Sequence, residues 1–136
     1  MAQCYNVGCN SFQKWFAGNV LRKMMLADTE IFSKVGNNIY PIVAPEGVNG
    51  DFITYAREKY SKSITKMGVY EDECKVSIVA ISDKYDSAVE LASLIDNCLT
   101  GPHTLDDGTR LKIDLTDSTE SFEDSKYFQV LIFEIK

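Results

Sequence analysis

Apolar residues recur along the chain at two periods, and these periods predict two main helices separated and followed by strands. From Ser11 onward the spacing of three and four predicts a first helix ending near Ala27. Its apolar positions are Phe12, Trp15, Phe16, Val20 and Met24, with Leu21 and Met25 beside them. A short second turn follows, capped by Asp28 and ended by Gly36. Helical spacing of this kind is typical of core residues, so we expect Trp15 and Phe16 to be buried.

Alternation with a period of two predicts the strands in the middle of the chain. Residues 39–43 predict a short edge strand, because Pro41 cannot donate to a ladder. Residues 52–59 predict the next strand, and residues 61–68 a polar connection. Residues 74–82 form the strongest strand pattern, and apolar residues on both of its faces predict a central position.

The second half of the chain begins with an amphipathic helix capped by Asp83 or Asp86 and ended by Gly101 and Pro102. Its predicted buried stripe consists of Tyr85, Ala88, Val89, Ala92, Ile95 and Leu99. A turn at residues 106–108 leads into a strand that points Leu111, Ile113 and Leu115 inward. Residues 117–126 are predicted to form an acidic loop, and residues 127–135 a final strand with apolar residues on both faces.

These elements predict an α+β fold with an antiparallel or mixed sheet of four to five strands and two main helices on one face. Residues 1–10 show no period and are expected to be a flexible leader, while residues 11–136 are expected to form a single domain. Two helices cover only one face of such a sheet. The apolar residues on the other face therefore need a second cover, such as a neighbouring subunit.

Composition narrows the classes of partner. The 136 residues are 45% hydrophobic and 25% charged, which excludes a disordered chain. The formal net charge of −6 argues against specific nucleic-acid binding and against docking on an anionic membrane. The sequence has no apolar run of membrane-spanning length and no signal-peptide pattern at its start, so we expect a cytosolic location.

Candidate chemistry is sparse. His103 is the only histidine, and no nucleophile elbow, dinucleotide fingerprint or phosphate loop occurs. Cys4 and Cys9 do not have zinc-knuckle spacing, and the acidic run lacks the glycine of a calcium loop. We therefore expect no cofactor, no metal site and no enzymatic activity. The alternative would be a small enzyme in which His103 acts with Cys98, Cys74 or the acidic loop.

Four segments resemble a family of small tailed-phage and prophage proteins known as tail-completion or tail-terminator-like proteins. The first combines the aromatic–proline strand 39–41, a proline loop at residues 44–47 and the strand 52–55, although Asp51 stands where the family often has proline. The others are the strand 76–82 followed by the helix 85–92, the segment 123–127 before the last strand, and the opening helix 16–26. The likeness extends over residues 12–136 in pattern more than in identity.

This resemblance implies a structural subunit that joins a ring, often sixfold, at the end of a phage tail or at the head–tail joint. It implies assembly in the bacterial host cytoplasm, residence in the virion tail, and contact with copies of itself and with other tail or head–tail proteins. It carries no cofactor and no catalytic residue. We predict the interface on the uncovered sheet face and on the loops around residues 44–50 and 61–68. The candidate interface residues are Phe128, Val130, Ile132, Leu94, Pro45, Val48, Ile64 and Met67. The main alternative is a monomeric cytosolic binding module that covers this face within one chain.

Overall fold

The structure is a computed structural model that describes residues 14–64, 68, 70–106 and 108–136. A 3-10 turn, Lys14–Phe16, leads into three helices, α1 (Ala17–Ala27), α2 (Thr29–Val35) and α3 (Tyr85–Leu99). The strands are β1 (Ile39–Pro41), β2 (Phe52–Ile64), β3 (Tyr70–Ser82), β4 (Gly101–Thr104), β5 (Arg110–Glu123) and β6 (Lys126–Ile135).

All six strands form one mixed sheet with the order β1-β2-β3-β6-β5-β4. Only β1 and β2 run parallel, and every other neighbouring pair is antiparallel. The predicted α+β class with a mixed sheet is therefore correct, but the sheet has a sixth strand and the fold a third helix. The prediction missed β4, which follows Gly101 where only a helix end was expected, and treated α2 as a short turn.

The helices cover one face of the sheet, called here the helix face. Cys74, Val76, Ile78 and Ala80 point from β3 into this layer and are fully buried, as their alternation predicts. β3 lies between β2 and β6, which confirms its central position. Every third or fourth residue of the helices faces these strands, and the buried side chains of the helices and of the strands pack together in one core. The helical core residues are Ala17, Leu21, Met25, Ile31, Val35, Ala88, Leu91, Ile95 and Leu99.

The buried face of α1 differs from the predicted one. Leu21 and Met25 are buried together with Ala17, whereas Trp15 and Phe16 are each 57% exposed. The reason is that α1 begins only at Ala17, so the preceding 3-10 turn breaks the helical period. Ser11, where the first helix was predicted to begin, and the expected leader at residues 1–10 lie outside the described residues.

The caps of the other helices were predicted with mixed success. The Asp28 carboxylate accepts hydrogen bonds from the Glu30 and Ile31 N–H groups at 3.0 and 3.1 Å, which confirms this cap, and α2 ends before Gly36 at φ 58°. The predicted cap of α3 is wrong, because α3 follows Lys84, whose N–H donates to Ser82 Oγ. Its stripe is also shifted, since Leu91 is buried while Tyr85 and Val89 are 45% and 40% exposed.

The predicted acidic loop at residues 117–126 is wrong. These residues continue β5, turn at Asp124 and Ser125 with φ 51° and 64°, and enter β6. Positive φ at both turn residues is the signature of a type I′ hairpin turn. Residues 116–123 are exposed near the edge of the sheet. Because exposed positions do not need apolar side chains, this strand shows no apolar alternation, and hydrophobic periodicity does not detect it. Residues 61–64 likewise continue β2 instead of forming a connection.

Gly18 allows α1 to approach the sheet. A Cβ at this position would lie 2.9 and 3.0 Å from two ring carbons of Tyr55. Glycine-to-alanine changes in helices usually stabilise by about 1 kcal/mol, but overpacking of this kind costs about 1–3 kcal/mol. We therefore expect Gly18→Ala to lower the free energy of unfolding, measured by urea denaturation. In a Tyr55→Ala background the same change should stabilise, and equal effects in both backgrounds would contradict the contact.

None of the helices within the described part of the chain is long and apolar enough to cross a bilayer.

Candidate assembly surface

The face of the sheet opposite the helices, called here the open face, carries the candidate surface. Register places Phe128, Val130 and Ile132 of β6 on this face, beside Val79 of β3. All four side chains are only partly buried. The final strand therefore has two apolar faces, as predicted, and its second face has no helix over it among the described residues. We call these four residues the open-face patch.

One end of the open face is covered by the loop that follows β1. Ile42 donates its N–H to the Tyr55 carbonyl at 2.7 Å, and the chain then turns across the sheet above Phe52, Thr54 and Ile81, which are buried. The far end of the loop is fixed by Ser82 Oγ, which donates to Asp51 Oδ1 at 2.7 Å. The cavity beneath this loop is also lined by Phe128, so the cover reaches one end of the open-face patch, while Val79, Val130 and Ile132 do not line that cavity.

The loop itself presents apolar side chains to solvent. Ile42 and Val43 are 77% and 72% exposed, the largest exposed fractions among the large apolar residues described. Ile42 adopts φ 63°, a left-handed conformation that a β-branched side chain disfavours. Such strain, of order 1–3 kcal/mol, persists at positions that the surrounding structure constrains, and these are often functional. The predicted candidates Pro45 and Val48 lie in the same loop, Pro45 exposed and Val48 partly buried.

The other end of the open face is ionic. Glu73 accepts from Lys59 at 2.8 Å and lies 3.6 Å from Lys75. The hydrogen bond and charge of Lys59 lower the pKa of the Glu73 carboxyl. On the neighbouring strands Asp114 lies 4.0 Å from Lys112 and 3.7 Å from Lys136. The open face is thus divided into an apolar half and a half covered with paired charges.

Two aromatic groups stand on the helix face near opposite edges of the sheet. Trp15 packs edge-on against Tyr60 with ring centroids 5.2 Å apart, and the Arg57 guanidinium lies 4.5 Å above the Trp15 ring. On the other side Phe122 lies 4.7 Å from the ring of Tyr127. Phe122 is 57% exposed.

A polar network supports the Phe122 side. Glu120 accepts hydrogen bonds from Gln129 at 2.9 Å and from the Tyr85 hydroxyl at 3.0 Å. The Gln129 bond, followed by the Tyr85 bond, lowers the pKa of the Glu120 carboxyl, and the same contact raises the pKa of the Tyr85 phenol. On the open face, a separate ion pair joins Lys126 to Asp83 at 2.8 Å.

The remaining predicted interface residues fall elsewhere. Leu94 was a candidate interface residue because it lies off the predicted buried stripe of the helix. In the structure it is partly buried and packs against the core from α3, which makes it a weaker candidate. Ile64 is the last residue of β2, and Met67 lies outside the described residues. Sequence reasoning missed Val79, Ile42, Val43 and Phe122 as surface candidates. The apolar residues on both faces of 74–82 indicated that Val79 lies on the second face of its strand. The strand that contains Phe122 shows no apolar alternation, so the sequence gives no signal for Phe122.

The alternative enzymatic site does not assemble around His103. Its Nε2 lies 2.6 Å from the Leu99 carbonyl oxygen, which can only accept, so this nitrogen carries the proton. Cys98 instead donates its thiol to the Met24 carbonyl at 3.6 Å. Burial, followed by the charge of Asp28, raises the pKa of the Cys98 thiol to about 11. No group of three or more histidine, cysteine, aspartate or glutamate side chains within the described ranges is arranged to hold a metal ion.

The raised pKa predicts a slow reaction of Cys98 with iodoacetamide. A rise of the pKa from the ordinary thiol value of 9.0 to about 11 leaves roughly 100-fold less thiolate at pH 8. We expect the folded protein to be alkylated at Cys98 roughly that much more slowly than the urea-unfolded chain, with the rate still rising above about pH 10. Peptide mapping by mass spectrometry separates Cys98 from the other cysteines. A rate that levels off by about pH 10, as for a thiol of ordinary pKa, would contradict this environment.

Comparison with known proteins adds a structural likeness but no sequence match. No protein-family model matches the sequence. No curated protein matches it either. The fold is similar to a chain in the solved structure of the virion of a native gene transfer agent particle, with a TM-score of 0.67. The two chains are 16% identical, and the match covers 85% of this chain and 89% of that chain. At this identity, the likeness shows that the two chains share a fold.

Proposed function

We propose that this protein is a structural subunit of a phage-like particle and that it acts by assembly. The observation that carries the proposal is the open-face patch on a fold shared with a gene transfer agent virion chain. Contiguous apolar surface that a chain leaves uncovered marks an interaction site in soluble proteins. The resemblance to tail-completion and tail-terminator-like proteins supports a more specific role in the tail or at the head–tail joint.

The assembly we propose is a closed homo-oligomeric ring, with six copies as the expected number. A ring needs a heterologous contact, in which one surface of a subunit meets a different surface of the next. The open-face patch supplies one surface, and the exposed Ile42 and Val43 of the next copy supply a complementary apolar one. The ring forms in the bacterial host cytoplasm and meets other tail or head–tail proteins in the virion.

The charge of the chain is compatible with this role. A net charge of −6 per copy repels the phosphates of DNA, so a ring of such subunits would let a duplex pass without gripping it.

Negative-stain electron microscopy of the purified protein tests the proposal. We expect closed rings with a central opening and a constant number of subunits. Open filaments or particles of variable size would contradict a closing contact, and isolated monomers at the highest workable concentration would contradict self-assembly.

A further inference from the structure

The long strand β5 has an outer edge that is only partly covered. β4 pairs with β5 only at residues 110–113. Residues 115–123 continue β5, and no strand among the described residues pairs with their outer edge. We call this segment the β5 free edge. A row of unpaired backbone groups at the edge of a sheet is a template on which one more strand can form.

We propose that the β5 free edge binds an extended segment of a different protein, in which apolar residues alternate with basic and polar ones. The segment adds a further strand to the sheet beside residues 117–123, a mode in which backbone hydrogen bonds give affinity and alternate side chains give specificity. The inference rests on the proposed function for the kind of partner, another protein of the particle. It does not need the ring, because a strand can bind at this edge of a monomer or of an oligomer.

The backbone of the β5 free edge is oriented to receive such a strand. The residues that flank the two-residue turn between β5 and β6 exchange hydrogen bonds, and hydrogen-bonded pairs then recur at every second residue. The N–H and C=O groups of Glu120 and Phe122 therefore point away from β6, and no described backbone group bonds them. The Ser118 N–H points the same way and donates to Asp117 Oδ1 at 2.9 Å, a bond that an added strand would replace.

Beside this edge, the helix face leaves apolar side chains exposed. Leu115 and Phe122 point from β5 to the helix face, and both are exposed. Tyr85 and Val89, also exposed, lie one turn apart on the same side of α3. The Tyr85 hydroxyl donates to Glu120, so this side of α3 is the one that faces β5. Apolar residues on the helix face of an added strand would pack against these four exposed side chains and remove them from water.

On the open face, the same edge is acidic. Register places Asp117 and Glu123 on this face, and neither carboxylate forms an ion pair within the described part of the chain. A basic residue opposite each of them would complete a cross-strand ion pair. One face of the added strand is thus expected to be apolar and the other basic or polar. Because successive residues of a strand point to opposite faces, such a segment alternates with a period of two.

Charge separates this partner from other candidate occupants of the edge. Residues 115–123 carry three carboxylates and no lysine or arginine. Two β5 free edges would therefore place like charges opposite each other, which destabilises strand pairing. The start of the chain, residues 1–13, contains no lysine or arginine and lacks the complementary charge. A basic segment of a different protein is the occupant that matches the charge of this edge.

A synthetic peptide tests the contact. The probe is fluorescein-labelled Lys-Val-Thr-Val-Thr-Val-Lys, which reads the same in both directions. Set beside residues 117–123, it places its lysines opposite Asp117 and Glu123 and all its valines on the helix face. We expect its fluorescence polarisation to rise as protein is added. The peptide with glutamate in place of both lysines should bind roughly tenfold more weakly, because two attractive cross-strand pairs become repulsive.

Ser118→Pro tests the backbone part of the contact. Proline at this position removes an N–H that points away from β6, so the ladder with β6 is kept while an added strand is obstructed. Binding of the lysine peptide should fall by roughly tenfold or more, whereas Ser118→Thr should bind it like the original protein. Circular dichroism of both variants establishes that the fold is retained.

Charge reversal tests the side-chain part. Asp117→Lys with Glu123→Lys should reverse the preference, so that the glutamate peptide binds more tightly than the lysine peptide. The matched control is Glu46→Lys with Asp106→Lys, which makes the same change of charge at two exposed carboxylates away from the edge. That control should keep the original preference for the lysine peptide.

Light scattering of the protein without peptide separates this inference from the ring. Binding of the lysine peptide that Ser118→Pro removes supports the edge contact, and it does so for a monomer as well, although a monomer would contradict the ring. An oligomer that binds no peptide at protein concentrations up to about 1 mM overturns the edge contact and leaves the proposed ring standing. Binding that Ser118→Pro leaves unchanged, or equal binding of the two peptides, also overturns the inference.

Discussion

Replacing Val130 and Ile132 together by aspartate should abolish self-association while leaving the fold intact. Both side chains lie in the open-face patch, on strand β6, which is two strands from β2 and adjacent to β5. In the monomer they are partly exposed, so the new carboxylates remain hydrated. In the ring they would be buried against the next copy, and the effective penalty of burying an unpaired charge is several kcal/mol. At about 1.4 kcal/mol for each factor of ten, association should weaken by at least 1,000-fold.

The measurement is sedimentation velocity of the variant over a wide concentration range, with circular dichroism to establish the fold. Ser93→Asp with Asn97→Asp is the matched control, because it adds the same charge on the exposed side of α3. That control should assemble like the original protein. If the Val130 and Ile132 variant stayed folded and still assembled, the open-face patch would not be an interface.

Replacing Phe133 by alanine should destabilise the fold by about 3–5 kcal/mol. Phe133 is fully buried on the helix face of β6, opposite Val76 of the central strand. Truncation removes the burial of an aromatic ring and leaves a cavity between strands that are held on both sides, so the site cannot collapse easily. A loss of this size is a large fraction of the stability of a domain of this length.

Urea denaturation at low protein concentration measures this loss without a contribution from assembly. Phe32→Ala on α2 is the control, since Phe32 is 46% exposed and its truncation should cost far less. Equal losses for the two variants would contradict the burial of Phe133 on the helix face. The two experiments together separate the residues of β6 that hold the fold from those that we propose hold the ring.

The sequence predicted the parts of the fold in which burial imposes a period. The alternation of 74–82, the two faces of 127–135 and the cap at Asp28 all appear as predicted. The open face was found by the same reasoning, because apolar residues on both sides of a strand need two covers. The proposed interface around Val130 and Ile132 depends on that reasoning and remains to be tested.

The parts that sequence could not predict are the ones that carry no burial signal. Residues 116–123 are exposed at a sheet edge and polar apart from Phe122, so their strand resembles an acidic loop. Trp15 and Phe16 continue an apolar helical pattern into a 3-10 turn, where the same residues become exposed. The order and register of the strands depend on long-range pairing that no local pattern encodes.

If copies of this chain join into a closed ring, as we propose, the mass of the protein in solution must show it. Size-exclusion chromatography with light scattering, run across a hundredfold range of concentration, reports the mass of every species. We expect a single assembly whose mass is a small integer multiple of 15.3 kDa, six being the expected number, with monomer appearing only on dilution. A mass that stays at 15.3 kDa over the whole range would show that the chain does not form a ring by itself.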